Sequence, residues 1–426
     1  MQTSRPPQLL TQPVNQAQAV AAGSWWFSQF PAPLRELAIL RAIASLGAGG
    51  VLYLTPLVFD QQAFTASSVT QGLALAALAG TVGRFLSGLL LDRGCNCGTP
   101  VLMAVVAAMA GDGQLFLATN FQAYGQGQLL IGLAMGLYWP AIELAVPLAC
   151  AGGPRPIPSA RGYALVRSAD AAGIAGGALV GAGLAAAGQL RGIYAVDVAC
   201  LLAMGLLLVL KPLPQPVARR TGLPGTSWGQ WLPPLVPILA ITLICTSLPA
   251  LMQSALPLDL VRGGLARSPL PTSLGALLIA VQLGLLLLIQ WPVGQALARR
   301  PVGVGLKLSL LCFSLGTALL GVSALSQQGI ALVIAAQLPL ALGEAAFLPI
   351  ATEAVIELTP EQHRGLAMAL FSQCFALSAF GAPLMAGVAL DNQGHGVGLW
   401  LSMSLLCLVG LTLPGRIRPR KPATEA

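Results

Sequence analysis

Runs of about 20 apolar residues, separated by short clusters of proline, glycine and charge, recur along nearly the whole chain. The apolar windows fall at 36–58, 68–91, 99–119, 124–149, 163–187 and 192–210, and then at 233–257, 271–297, 304–325, 329–356, 364–389 and 396–414. Around 20 residues, at about 1.5 Å of rise each, are what a helix needs to cross a hydrocarbon core of about 30 Å. Stretches such as LLAMGLLLVL, from Leu201 to Leu210, show no period-two alternation, which sets aside a transmembrane β-barrel. The longest polar, Pro-rich break between windows is KPLPQPVARRTGLPGTSWGQW, Lys211 to Trp231, and it divides the pattern into two sets of six. The pattern predicts an all-α membrane protein with twelve transmembrane helices in two pseudo-symmetric six-helix bundles. The expected divisions are a tail over 1–33, a first bundle over 34–210, a linker over 211–231, a second bundle over 232–415 and a tail over 416–426.

Composition agrees: 56% of the residues are hydrophobic and 8% charged, whereas soluble domains carry roughly 25% charged residues. Such a chain cannot cover a water-facing surface, so its main partner is the lipid bilayer. The net charge of +8 is a matter of orientation, not of nucleic acid. On this layout about sixteen of the 22 Lys and Arg lie on the side of the termini, whereas Arg191, Arg262 and Arg267 face the other side. Both termini and the linker are therefore expected in the cytoplasm, with the chain in the plasma (inner) membrane. The first thirty residues lack the marks of a signal peptide and read as a disordered cytoplasmic tail, with Trp25, Trp26 and Phe27 as an interfacial anchor.

Catalytic chemistry has little to work with. His363 and His395 sit in different loops, Cys95 and Cys97 have no His or third Cys nearby, and no Gly-rich loop ends in Gly-Lys-Ser/Thr. No metal, cofactor, ATP-driven step or enzymatic activity is expected.

The two halves repeat each other. Gly88-Leu-Leu-Leu-Asp92-Arg93 at the end of the second window has a counterpart in Gly294-Gln-Ala-Leu-Ala298-Arg299-Arg300 at the end of the eighth. The fourth window ends GLYWPAIE at Glu143 and the tenth carries FLPIATE, ending at Glu353. The fifth opens Arg161-Gly162-Tyr163-Ala164 and the eleventh Arg364-Gly365-Leu366-Ala367. Three matches in register, each six windows apart, indicate an internal duplication.

With these motifs the chain, from about residue 34 to 415, resembles the major facilitator superfamily of secondary transporters. That family's loop between spans two and three runs Gly, three residues, Asp, Arg, then Gly and basic residues; Gly88, Asp92 and Arg93 match. Gly94 stands one position early, and Cys95, Asn96 and Cys97 replace the basic residues. The second-half copy keeps Gly294, Arg299 and Arg300 but has Ala298 in place of the acid. The resemblance implies that Asp92 meets the positive N-terminal end of the eleventh helix and latches the outward-facing state. The segment ELTPEQHRG, Glu357 to Gly365, resembles the family's link between spans ten and eleven. Gly173, Gly177 and Gly181 stand at four-residue spacing in the fifth span, a small-residue face that lets two backbones approach. The family's antiporters carry Gly-Pro there, where this chain has Gly176-Gly177; Gly381, Pro383 and Gly387 in the eleventh span are closer to that signature.

Ionisable residues inside spans carry the strongest functional signal, because a charge at mid-bilayer costs roughly 2.5 to 3.5 kcal/mol even on lenient scales. Glu344 lies near the middle of the tenth span and Glu143 somewhat to the cytoplasmic side of the middle of the fourth. The resemblance implies that spans one, four, seven and ten line a central cavity. Glu344, Glu143 and Glu353 then either carry protons through that cavity or are held in structural pairs. Arg41 either binds an anionic substrate or reaches headgroups, and Tyr53, Tyr138, Trp139 and Gln253 join the candidate lining by their spans. Arg167 and Asp170, three apart, are expected to neutralise each other on one helix face. Arg84, Asp112 and Asp197 are placed nearer span ends, snorkelling or capping.

The expected function is secondary active transport of a small molecule by alternating access, coupled to protons, by a monomer. Export of amphipathic or drug-like compounds is the first expectation, although Gln128 stands where many proton antiporters have an Arg. Symport or uniport of a metabolite, a sugar or an organic anion, is the alternative. A transport-inactive sensor and an intramembrane enzyme are the readings from other classes.

Overall fold

The computed structural model describes residues 26–152, 157, 159–214, 228–297, 300–359 and 364–417. Twelve α-helices occur among them. The first six are α1 (Ala32–Asp60), α2 (Ala66–Asp92), α3 (Gly98–Leu117), α4 (Phe121–Ala151), α5 (Ser159–Ala186) and α6 (Gly192–Leu210). The second six are α7 (Trp228–Arg262), α8 (Thr272–Leu297), α9 (Val302–Ser323), α10 (Gly329–Leu358), α11 (Arg364–Gln393) and α12 (Val397–Gly410). Eleven are long and apolar enough to cross a membrane; α12, at 14 residues, is shorter than its apolar window. Pro414 lies four residues beyond Gly410 and has no N–H to donate to its carbonyl, and the chain turns there into a short 3-10 helix, Pro414–Arg416.

Local chemistry sets the helix ends. The Thr65 side chain accepts a hydrogen bond from the Ser68 N–H at the start of α2, and the Asn120 side chain accepts one from the Ala123 N–H at the start of α4. At the end of α2, Gly94 takes φ +80°, and the N–H groups of Gly94 and Cys95 return to the carbonyls of Leu91 and Leu90 at 2.9 and 3.1 Å. That left-handed turn closes the helix and accounts for the early glycine in the loop motif. Pro140 and Pro147 in α4 and five prolines in α7 sit inside helices. Packed neighbours re-satisfy the freed carbonyls in a membrane bundle.

Packing follows a shift of six. The pairs α2–α4, α1–α5, α3–α4, α1–α6 and α3–α6 recur as α8–α10, α7–α11, α9–α10, α7–α12 and α9–α12. The contacts that join the halves obey the same rule, since α2–α11 maps onto α8–α5 and α1–α7 maps onto itself. The result is two pseudo-symmetric six-helix bundles. The outward faces carry large apolar side chains such as Phe85, Leu117, Leu206 and Leu288, all more than half exposed, as expected of surfaces solvated by lipid.

The small-residue face of α5 packs on α1. A Cβ on Gly173 would stand 2.5 Å from the Ala42 carbonyl oxygen, one on Gly177 would strike the Leu46 carbonyl oxygen, and one on Gly181 the Leu54 side chain. In α11, Gly387 lies directly against Ser67 and Thr70 of α2, whereas Gly381 has open space around it.

Candidate functional site

Two neighbouring groups of side chains stand out, one inside the first bundle and one spanning the halves. In the first, Arg41 on α1 is 5% exposed and pairs with Asp170 on α5 at 2.9 Å. The Ser45 hydroxyl, one turn along α1, donates a short hydrogen bond to the same carboxylate oxygen. The guanidinium lies over the Trp139 ring at 4.0 Å and near Tyr138 at 5.0 Å. Burial demands this arrangement: an isolated charge among apolar helices is expensive, and a carboxylate plus two aromatic faces compensate a planar cation well. These residues form one wall of a cavity of about 110 Å³ inside the first bundle, between α1, α3, α4, α5 and α6. That is below the roughly 300–1,000 Å³ of ordinary ligand pockets, so the space accepts one small group and not a whole metabolite.

The second group spans the halves. Gln253 on α7 donates to the Tyr53 hydroxyl on α1 at 3.4 Å, and that hydroxyl lies within electrostatic reach of both Glu344 on α10 and Asp170. Glu344 is half-buried and forms no ion pair among the described residues. Arg41, Tyr53, Tyr138, Trp139, Gln253 and Glu344, singled out in the sequence, thus fall into two neighbouring clusters. Ser45 and Asp170 complete them, and the sequence had paired Asp170 differently: Arg167 is exposed, and Asp170 turns across to α1. The i,i+3 rule finds partners on one helix only, so an ion pair between α1 and α5 escapes it.

The other predicted positions lie apart. The backbone carbonyl of Glu143 accepts a hydrogen bond from the Tyr163 hydroxyl at 3.0 Å, and its carboxylate makes no ion pair with a described residue. Glu353 is exposed toward one end of α10. Arg93 and Arg300 are exposed, and Gly88 and Gly294 have open space around them. Arg299, the Asp92 side chain, the N-terminal tail through Trp25 and the stretch from Pro360 to His363 lie outside the described residues, and so does linker 215–227. Asp112 and Asp197, expected at span ends, are instead buried within the first bundle, at 0% and 5% exposure.

The end of the molecule opposite the termini holds a cluster that the sequence did not single out. Arg262, the last residue of α7, pairs with Asp60, the last of α1, at 3.1 Å, and with Asp391 near the end of α11, also at 3.1 Å. It also donates to the Phe64 carbonyl at 3.3 Å. Asp391 in turn accepts the first two N–H groups of α2, from Ala66 at 2.9 Å and Ser67 at 2.8 Å, which is how an anion caps a helix N-terminus. Gln61 adds a hydrogen bond to Thr272 at 3.4 Å. Among the described residues the one ion pair between the halves, Arg262–Asp60, is here; together with the hydrogen bonds from Arg262 to Phe64 and from α2 to Asp391 it latches the two bundles at this face. One sign of it was legible: all three charged residues terminate spans on the same side.

Neither a protein-family model nor a curated protein matches the sequence. The fold, however, matches solved structures closely. A point mutant of the nucleoside transporter NupG aligns at a TM-score of 0.75 and 14% identity, over 91% of this chain and 100% of that one. A POT family transporter in complex with 5-aminolevulinic acid aligns at 0.77 and 11% identity, over 91% and 97%. A point mutant of the peptide transporter POT aligns at 0.71 and 14%, over 93% and 99%. With its twelve helices in two bundles related by a shift of six, the chain shares the fold of these transporter structures.

Proposed function

We propose that this protein is a secondary transporter that moves a small polar metabolite across the membrane by alternating access, with Glu344 as its proton-coupling residue. The observation that carries the proposal is the largely buried polar track that runs from inside the first bundle to its junction with the second, Arg41 and Asp170 first, then Tyr53, then Gln253 and Glu344. Buried ionisable groups between two otherwise apolar bundles are costly, and a translocation path gives them a use. The structural likeness to nucleoside and peptide transporters supports the metabolite alternative better than export of amphipathic compounds. An Arg-Asp pair beside aromatic rings also suits a solute with hydrogen-bonding groups and a planar or charged part. With the termini in the cytoplasm, as the basic residues suggest, the Arg262 latch closes the extracellular face.

The test is transport in proteoliposomes under an imposed pH gradient. Nucleosides, short peptides, amino acids, sugars, organic acids and amphipathic cations are offered while internal pH is followed. The expected result is movement of a polar metabolite with matching proton flux, and loss of the proton flux in Glu344→Gln. Movement of amphipathic cations alone restores the export reading; binding without movement of any solute identifies a transport-inactive sensor.

A further inference from the structure

Asp112 on α3 and Asp197 on α6 meet inside the first bundle, away from the junction of the halves. Their carboxyl groups lie within hydrogen-bonding range of each other. Both oxygens of Asp112 and one of Asp197 have no donor among the described residues. Asp197 also lines the 110 Å³ cavity, as Arg41 and Asp170 do. It reaches that position because α1 carries glycine there: a Cβ on Gly47 would stand 2.8 Å from the Asp197 Cα and strike its carboxylate.

Among the described residues, no cation pairs with either carboxyl group. Arg191, just before α6, gives its guanidinium to the carbonyls of Phe116 and Ala118, both at 2.6 Å, and Arg41 is paired with Asp170. The titratable groups nearby are Tyr194 and Cys200 on α6; Tyr194 donates to Thr55 at 3.2 Å, and Tyr124 on α4, close to Tyr194, donates to the Val69 carbonyl at 2.7 Å. Two carboxylates cannot both stay ionised side by side in such a place, and two acceptors facing each other need a hydrogen between them. A metal ion would need more ligands, and the described residues offer no group of three His, Cys, Asp or Glu.

We propose that Asp112 and Asp197 form a proton-binding site, a carboxyl pair that holds one shared proton between α3 and α6. It is distinct from Glu344 and independent of whether the protein transports. Because Asp197 and the Arg41–Asp170 pair face the same cavity, the charge of the carboxyl pair is felt by whatever enters it.

Infrared spectroscopy of the purified protein in lipid nanodiscs at neutral pH tests this, using the carbonyl stretch of protonated carboxyl groups. Asp112→Asn and Asp197→Asn place an amide donor where the shared proton was, leaving the remaining carboxylate ionised. Each variant should therefore lose a protonated-carboxyl signal that the wild type shows, while Glu344→Gln keeps it. An unchanged signal in both Asn variants overturns the proposal. If neither variant folds, the Glu344→Gln spectrum decides alone, because complete loss of protonated-carboxyl signal there leaves none for the pair. Sodium that raises the melting temperature of the wild type but not of Asp112→Asn also overturns it, since the pair would then hold a metal cation.

Discussion

Removing the Arg262 side chain should release the face of the molecule opposite the termini. Arg262 holds two carboxylates at 3.1 Å and is about a quarter exposed, so its pairs are worth more than surface ion pairs at roughly 0.2–1 kcal/mol and less than fully desolvated ones. The Asp60 pair and the charge-assisted hydrogen bond to the Phe64 carbonyl, the two contacts Arg262 makes to the first half, together contribute about 2 kcal/mol to the latched state, which corresponds to roughly a 30-fold shift in a two-state equilibrium. Asp391→Ala should shift it too, because the first two N–H groups of α2 lose the acceptor that ties them to α11. Asp60→Asn, which weakens the ion pair between the halves but keeps the hydrogen bond from Arg262 to the Phe64 carbonyl, should shift it less than Arg262→Ala. The assay is electron–electron double resonance between spin labels on two exposed positions of that face, Gln62 and Ser268, in a background with the eight native cysteines replaced. Arg262→Ala should add or enlarge a long-distance population relative to wild type. Identical distance distributions in the two proteins, or a larger shift in Asp60→Asn than in Arg262→Ala, would refute the reasoning.

Arg41→Ala should destabilise the protein by about 3–5 kcal/mol, because it leaves Asp170 buried without its cation; Arg41→Lys should recover part of the melting temperature but not the stacking on Trp139. Asp259→Ala should cost a similar amount, about 3–5 kcal/mol, in thermal unfolding. That carboxylate is fully buried, pairs with Arg267 at 2.9 Å, and accepts from the Gly396 N–H at 2.8 Å and the Trp400 indole at 3.1 Å. An unchanged melting temperature in either Ala variant would show that the pair is not stabilising. Cys97, in the loop before α3, is buried, and burial pushes its thiol up to about 11. Only the thiolate reacts, so alkylation of Cys97 should be slow at neutral pH and rise roughly tenfold per pH unit as that value is approached. Mass spectrometry of maleimide-treated protein checks it, and modification at the rate of a free thiol at neutral pH would count against the burial.

The number of helices, the division into halves and the repeat that relates them are all legible in the order of residues along the chain. The reason is the solvent: in lipid each crossing segment must be long, apolar and internally hydrogen-bonded, and such segments are visible one at a time. That order also shows which residue types are costly inside the membrane, and so directs attention to Arg41 and Glu344. Only the tertiary structure decided their partners. Helices that are apolar on nearly every side give little indication of how each is rotated about its axis. Asp170 could therefore be read toward Arg167 when it faces Arg41, and Asp112 and Asp197 toward the span ends when they face each other. The Arg262 latch escaped for a related reason, since its parts come from residues 60, 262 and 391, and only the docking of α1, α7 and α11 brings them within 3.1 Å.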